Sequence, residues 1–410
     1  MLKPETIAVI KQTVPVLRAH GEDLTRHFYA RMFHENPEVL AYFNPAHQQS
    51  GAQQRALAGA VCAYAQHVDN PSVLGSAVEL IAQKHVSLGI RPEHYPIVGE
   101  NLLASIREVL GEAATDEIID AWAEAYGALA DIFIQREAAL FREQETTFGW
   151  QGFKPFLVEK RERASDTIES FYLCPKDGET LAPHQPGQYI TVRITLPDGT
   201  TTMRNYSLSN APGEPWLRIS VKRETGIDAS TPDGVVSSFL HDQLRVGDVL
   251  EVAPPSGEFT LARPASERRP LVLIAGGVGI TPLLSMLKAS LTGGADRPVI
   301  FIQGALNSRV QPFAKELAGL ALDHDNLQLH VRFSDPDAQD LADGRCHSVG
   351  VVDNALLDEL VGETDADWYV CGPTPMLRHV CHLLAARGVA DDDLHYEFFG
   401  PAEALTADAA

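Results

Sequence analysis

The 410-residue chain is poor in cysteine, poor in positive charge and without an unbroken apolar run long enough to cross a bilayer. Five cysteines cannot supply a disulfide framework for a chain of this size, and their odd number fits a reducing, cytoplasmic compartment. Lysine and arginine number 33 against 55 aspartates and glutamates, a net charge of −22. That sign excludes nucleic acid and an anionic membrane as main partners, because both attract net positive charge. Met1 to Thr6 lack the basic-then-apolar order of a secretion signal. The segment nearest to a membrane span, Pro270 to Leu287, is free of charge, yet Gly276, Gly277, Gly279 and Pro282 divide it. A strand, a turn and a helix account for it better than a membrane helix. What is present, 45% apolar and 21% charged residues, is the make-up of a folded soluble protein, with length for roughly two to four domains.

Three textures follow one another. Residues 1 to 147 read as helices only, with apolar residues three and four apart. One helix is expected over Asp116 to Arg142 on the stripe Ile119, Trp122, Tyr126, Leu129 and Phe133. A second carries Leu57, Val61, Tyr64 and Val68, and a third Val78, Ile81 and Leu88. The texture changes at Thr147-Phe148-Gly149-Trp150. From there to about residue 265 come short alternating runs (Tyr189 to Ile194, Leu217 to Lys222, Val249 to Val252) parted by turns such as Leu196-Pro197-Asp198-Gly199. They predict an antiparallel sheet or small β-barrel, interrupted by a helix over Val235 to Leu244. From about residue 266, buried runs (Leu271 to Ile274, Val299 to Ile302, Trp368 to Val370) alternate with helices, the pattern of an α/β parallel sheet. Three domains are therefore expected, over 1–147, 148–265 and 266–410, the last ending in an acidic tail from Ala402.

The third texture carries a nucleotide signal. Leu271 to Ile274 runs into Ala275-Gly276-Gly277-Val278-Gly279-Ile280-Thr281-Pro282 and an apolar helix from Leu283. Glycines let backbone N–H groups approach a pyrophosphate, and a helix N-terminus adds partial positive charge. Pro282, a favoured first helical residue, stands where the usual dinucleotide fingerprint has a third glycine. A tight turn with no ligand would read the same way. A second loop, Cys371-Gly372-Pro373-Thr374-Pro375-Met376, follows the strand Trp368 to Val370. Together the two loops resemble the nicotinamide domain of the ferredoxin reductase superfamily. Gly276, Gly277, Val278, Gly279, Ile280, Thr281, Cys371, Gly372 and Pro373 are then the expected NAD(P)H-binding residues. The strand Val299 to Ile302 leads to Gly304-Ala305-Leu306-Asn307-Ser308-Arg309. An acidic residue there would point to a free ribose hydroxyl, and Ser308 with Arg309 to a ribose phosphate, so NADH and NADPH both stay open.

That superfamily implies a flavin barrel upstream, and Arg204-Asn205-Tyr206-Ser207 matches its motif. A flavin accepts a hydride and releases single electrons, which a reductase of one-electron acceptors requires. By resemblance, Arg204 pairs with the FAD pyrophosphate, Tyr206 stacks on the ring, Ser207 bonds near its reactive nitrogen, and Asn205 and Tyr189 belong to the same site. Pro186-Gly187-Gln188-Tyr189, Gly234-Val235-Val236-Ser237 and Pro254 to Phe259 keep the family's order, and Phe398, Phe399, Gly400 and Pro401 match its closing segment. Phe398 stands where a cysteine is frequent.

In the helical part, polar residues interrupt apolar stripes: His85 after Val78 and Ile81, Gln53 one turn before Leu57, Tyr95 ahead of Val98 and Leu102, and Glu137 four after Phe133. A carboxylate among apolar groups needs a buried partner, at a cost otherwise of several kcal/mol by order of magnitude. A haem iron would explain His85 as proximal ligand, with Glu137 and Tyr95 behind it giving the imidazole imidazolate character. Tyr29 and Gln53 would hydrogen-bond O2 on the opposite face, Phe43 would wedge against the porphyrin, and Lys84 would tune the iron by its charge. Plainer readings exist: His85 as a core histidine, Glu137 paired with Arg136 or Arg142, Tyr29 as core. His379-Val380-Cys381-His382 is read as a solvated helix face and not a zinc site.

His27-Phe28-Tyr29, Phe43-Asn44, Gln53-Gln54-Arg55, Ala82-Gln83-Lys84-His85, Tyr95-x-x-Val98-Gly99-Glu100 and Arg136-Glu137-Ala138 fall in the order seen in the haemoglobin domain of bacterial flavohaemoglobins, which the chain resembles from residue 1 to about 401. The resemblance implies haem b, FAD and NAD(P)H, and a nitric oxide dioxygenase that makes nitrate from nitric oxide and O2. Its expected partners are those small molecules alone, with neither nucleic acid nor an obligatory membrane, and a monomer is expected. A reductase of peroxides or ferric compounds would use the same electron chain. A gas sensor would need an output domain, and the reductase modules would be superfluous in a carrier.

Overall fold

The computed structural model describes residues 2–44, 48, 50–226, 233–262, 268–292 and 297–399. They fall into two compact units, one built on Met1–Phe153 with Arg193–Arg204, the other on Lys154–Val192 with Asn205–Phe399.

The first unit is helical: α1 (Pro4–Glu35), α2 (Ala52–Gln66), α3 (Gly75–Leu88), α4 (His94–Leu110) and α5 (Asp116–Phe148). Pro4 opens α1 at a position where a backbone N–H would lack a partner anyway. Thr115 caps α5 by accepting from the Ile118 N–H at 3.3 Å, and Gly149, in the left-handed region at φ 85°, ends it. The helix thus runs past Arg142 to Phe148, because no breaker intervenes before that glycine. Val68 is buried but lies beyond the end of α2.

Burial on α5 differs from the expected stripe. Trp122, Ala125, Phe133 and Glu137 are buried, while Ile119, Tyr126 and Leu129 are half-buried. The reason is that the unit holds two apolar clusters. One gathers Phe28, Tyr29, Met32, Tyr64, Leu102 and Trp122, the other Ala82, Val86, Tyr95, Phe133, Leu140 and Phe141. Tyr126 and Leu129 pack on both. A lone domain normally closes one continuous core.

The second unit holds most of an antiparallel sheet and all of a parallel one. The first sheet is formed by β1 (Lys154–Arg163), β2 (Ile168–Pro175), β3 (Tyr189–Thr195), β4 (Thr201–Ser207), β5 (Leu217–Lys222) and β6 (Val249–Val252), in the order β4-β3-β6-β1-β2-β5. An antiparallel bridge from Leu208, just past β4, to Ile219 on β5 links the two ends of that order and closes the barrel. Helix α6 (Val235–Asp242) stops two residues short of Leu244.

The parallel sheet has β7 (Leu271–Gly276), β8 (Val299–Ala305), β9 (Leu327–Phe333), β10 (Ser348–Val349), β11 (Asp367–Cys371) and β12 (Leu394–Glu397), in the order β10-β9-β8-β7-β11-β12. Helices α7 (Ile280–Thr292), α8 (Ala314–Asp323), α9 (Ala338–Ala342), α10 (Asn354–Leu360) and α11 (Thr374–Ala386) connect the strands. The order runs outward from β7 to β10 and then returns to β11 on the other side of β7. The switch point, where such sheets bind ligands, therefore lies between β7 and β11, the two strands that carry the glycine loop and the Cys371 loop.

Those loops are pressed together. A side chain at Gly276 would run into Met376, and one at Gly279 into the Cys371 carbonyl. Gly277 differs: its φ is 53° and nothing lies within 4 Å of a Cβ there, so it faces open space. The helix begins at Ile280, after a 3-10 turn over Gly277–Gly279, so Pro282 is its third residue and not its first. The first turn of a helix has no intrahelical use for N–H donors, so proline fits there too. Gly279→Ala is expected to destabilise the chain by about 1–3 kcal/mol or more through overpacking, and Gly277→Ala by less, about 1 kcal/mol from a Cβ at left-handed φ alone, read as the difference in denaturation midpoint. Equal losses would contradict this division between a packing glycine and an open one.

Candidate functional site

In the helical unit three elements deliver three polar side chains to one point. His85 lies in the last turn of α3, Tyr95 in the first turn of α4 and Glu137 within α5. His85 Nδ1 is 2.7 Å from Glu137 Oε1 and 3.2 Å from the Tyr95 hydroxyl. The Tyr95 hydroxyl itself donates to Glu137 Oε1 at 2.5 Å. Glu137 is 2% exposed, so the carboxylate has the buried partner that its position requires, and the partner is not arginine. Arg136 pairs instead with Glu79 at 2.6 Å and with Glu143, and Arg142 with neither. Burial and the neighbouring carboxylate push the Tyr95 hydroxyl far above its ordinary range, which keeps it a donor.

The network leaves one atom uncommitted. Both hydrogen bonds of the His85 ring involve Nδ1, and among the described residues Nε2 makes none. The His85 side chain is 33% exposed, although it sits between Tyr95 and Phe133 at ring separations of 6.2 and 5.7 Å. A sequence stripe cannot show this arrangement, because Glu137 and His85 meet only when α5 packs on α3.

Tyr29, on α1, lies in the other cluster and is buried. Its ring meets Phe43 edge-on at 5.7 Å, and Gln53, at the start of α2, is near enough to act on its hydroxyl. Burial pushes the Tyr29 hydroxyl up to about 12, against a smaller downward pull from Gln53. Tyr29, Phe43 and Gln53 thus lie together. Lys84 adjoins His85 on α3, and its carbonyl accepts from Ser87.

The residues present fit a haem. Phe43, Leu57, Val61, Ile81, Val98 and Leu129 are apolar, packed against one or both of the two clusters that hold Tyr29 and Tyr95, and yet only half-buried. Half-buried apolar side chains together with an imidazole nitrogen that makes no hydrogen bond suit a flat apolar macrocycle with a central metal ion.

Tyr126 was legible only as a stripe residue, yet its hydroxyl donates to the Tyr95 carbonyl at 2.6 Å and so holds the start of α4. Gly99 lies one turn after Tyr95, and a Cβ there would come within 2.6 Å of the Tyr126 ring. The glycine is the one trace of this contact in the sequence.

On the barrel, Arg204 and Tyr206 alternate with Asn205 and Ser207 along β4, so the motif divides between two faces of the strand. Arg204 donates to Thr202 Oγ1 at 2.9 Å and to the Met203 carbonyl at 2.6 Å, and Asn205 accepts from Thr191 at 2.9 Å. Tyr189 exchanges backbone hydrogen bonds of 2.9 Å with Ser256, and its ring would meet any side chain at Gly257. Gly187, at φ 103°, has no room for a Cβ beside the Phe259 carbonyl.

At the switch point, Ile280 is wholly buried and the Thr281 hydroxyl is spent on the Val278 carbonyl at 2.9 Å. Cys371 and Gly372 are buried, and Pro373 is exposed. Phe398 is half-buried and Phe399 is 45% exposed, a large apolar ring on the surface. Gly400 and Pro401 lie outside the described residues, as does the tail. His379 and His382 face outward while Val380 and Cys381 are buried, so the reading as a solvated face holds for the two histidines only. His379 Nε2 is 2.8 Å from the Val352 carbonyl.

Three domain families match the chain in this order: globin over residues 26–133, oxidoreductase FAD-binding domain over 155–261 and oxidoreductase NAD-binding domain over 273–382. A flavohemoprotein of Rhodopirellula baltica is 51% identical over 408 residues, 99% of this chain and 100% of its own. The chain belongs to the flavohemoprotein family. Its fold matches a flavohemoglobin from Malassezia yamatoensis, solved with bound FAD and heme, with a TM-score of 0.83 at 28% identity over 97% of this chain and 100% of that one. The FAD/NAD-binding domain of a nitric oxide dioxygenase from Vibrio cholerae matches with a TM-score of 0.53 at 32% identity, over 60% of this chain and 99% of that one. As a member of the family, the chain is an oxidoreductase with a globin, a FAD-binding and a NAD-binding domain. No helix among its described residues is long and apolar enough to cross a membrane.

The buried tyrosines set an alkaline limit. Burial raises both Tyr29 and Tyr64 from the ordinary value of 10 to about 12. The unfolded chain therefore ionises first, and stability that is complete below pH 10 is lost as pH rises from 10 through about 12. Phenolate absorbance followed beside the melting temperature checks this. Tyr29→Phe is expected to lessen the alkaline loss, and ionisation of Tyr29 in the folded protein at its ordinary value would contradict its burial.

Proposed function

We propose that the chain is an NAD(P)H-dependent nitric oxide dioxygenase, with its haem, flavin and nucleotide modules divided near residues 147/148 and 265/266. The observation that carries this reading is the convergence of Glu137 and Tyr95 on His85 Nδ1 while Nε2 makes no hydrogen bond among the described residues. When bound, the haem would supply the iron at which O2 and nitric oxide combine to nitrate, and FAD would turn a hydride into single electrons, two turnovers per hydride.

The residues have distinct tasks. His85 would hold the haem iron through Nε2. Glu137 holds the His85 proton at Nδ1 and concentrates negative charge behind the ring. Tyr95 fixes the Glu137 oxygen by donating to it. With haem bound, that arrangement would favour O2 activation over storage, since a more anionic imidazole would donate more electron density to the iron. From the other cluster, Tyr29 would offer an O–H donor that burial keeps protonated, with Gln53 beside it. Phe43 holds the Tyr29 ring edge-on, and Lys84 adds a positive charge beside the ligand.

In the reductase part, Arg204, Tyr206, Ser207, Asn205 and Tyr189 would hold FAD, with Phe398 or Phe399 covering the ring. Gly277, with open space around it, and the backbones of Gly276 and Val278 to Thr281 would meet the pyrophosphate of NAD(P)H, with Cys371 to Pro373 across the crevice. The Vibrio cholerae relative, described as part of a nitric oxide dioxygenase, supports the same activity. Five free cysteines suit a cytoplasmic site of action.

The test is stoichiometric nitrate formation from nitric oxide by the purified chain with NADH and O2. Nitrate absent while NADH is consumed with peroxide instead would overturn the reading. Tyr29→Phe is expected to speed O2 release roughly fivefold, the effect of losing one hydrogen bond of about 1 kcal/mol, while flavin reduction by NADH is unchanged. An unaltered O2 release rate would remove Tyr29 from this role.

A further inference from the structure

Strand β8 lies beside β7, with Gly304 level with Gly276, so the loop after Ala305 borders the same crevice as the glycine loop. In sheets of this kind the carboxyl end of that second strand faces the adenosine ribose of a dinucleotide. The loop offers Leu306, 57% exposed, then Ser308 and the exposed Arg309, and no acidic residue.

The tertiary structure supplies the missing acids. Asp340 from α9 and Asp343 just after it come to this loop together with Arg345. Asp340 is fully buried, and its Oδ2 accepts from the Ser308 N–H at 3.2 Å and from the Asp337 N–H at 3.3 Å. Its Oδ1 is buried without a hydrogen-bond partner, and the Arg345 guanidinium lies 3.5 Å away. Arg345 also donates to Ser308 Oγ at 3.1 Å and to Asp343 Oδ2 at 2.6 Å. Its charge is thus already balanced: one face offsets the buried Asp340 carboxylate and the other is held by Asp343, which is 40% exposed.

We propose that this Ser308–Arg345–Asp343 cluster reads the 2′ position of the adenosine ribose and selects the free hydroxyl over the phosphate, so that the chain prefers NADH. This rests on the nucleotide reading of the crevice. A 2′-hydroxyl brings no charge and can donate to the exposed Asp343 oxygens. A 2′-phosphate would meet a carboxylate on the cation it needs, beside a second carboxylate that cannot move. Asp343 is the residue that keeps the phosphate out. With its charge removed, Arg345 and the adjoining Arg309 both become available to a phosphate.

The experiment is calorimetric titration of the full-length holoprotein with ADP-ribose and with 2′-phospho-ADP-ribose, in the parent chain and in Asp343→Asn. The parent is expected to bind ADP-ribose at least about tenfold tighter. Asp343→Asn is expected to narrow that ratio roughly tenfold, mainly by tightening the phosphorylated ligand, as removal of one like charge at a few ångströms predicts. Asp343 is at the surface, so the variant keeps the fold. A ratio that Asp343→Asn leaves unchanged, or a parent that prefers the phosphorylated ligand, overturns the proposal while the nucleotide site stands. Failure of both ligands to bind the parent overturns the nucleotide reading itself.

Discussion

One carboxylate oxygen organises the helical half of this protein. Glu137 Oε1 takes a hydrogen bond from the Tyr95 hydroxyl and another from His85, and all three groups come from different helices. A carboxylate as buried as this one is tolerated only because charge-assisted hydrogen bonds offset its desolvation, each on the order of 1.5–3 kcal/mol. The same bonds fix the tautomer of His85, since a carboxylate can only accept. Nε2 is left without a hydrogen bond among the described residues, and Tyr126 and Gly99 extend the control by locking the backbone that carries Tyr95.

The two-cluster core follows from the same constraint. Apolar side chains that stop half-buried on both sides of Tyr126 and Leu129 are poor value for a protein folding alone, but correct for one that folds around a flat apolar group. The reductase half uses a different device. There the chain presses two loops into backbone contact at the switch point between β7 and β11, which requires glycine at 276 and 279 and leaves Gly277 turned to open space. Glycines of one motif thus serve packing and ligand approach separately.

Much of the fold was legible because its signals are local. The alternation over Leu217–Lys222 and Val249–Val252 marked strands at the bounds observed, and Gly149 marked the end of the helical part. Local signals also explain the misses. Helical periodicity cannot tell Trp122, which is buried, from Tyr126, which is half-buried, because both sit on one stripe. The proline in the first turn of α7 looked like its first residue because a proline can occupy several places there. The His85 network was inferred from residue types that made little sense apart, and only the packing of α3, α4 and α5 joins them. Arg345, Asp340 and Asp343 stood outside any motif, since they reach Ser308 from another element.

The central claim is that the Glu137 charge reaches the metal through His85. The most direct measurement is the iron–imidazole stretching frequency of the ferrous haem protein by resonance Raman, compared with Glu137→Gln, which keeps the acceptor oxygen and removes the charge. A lower frequency in the variant is the predicted result. The same frequency in both proteins, or no iron–imidazole band in the parent, would contradict the account.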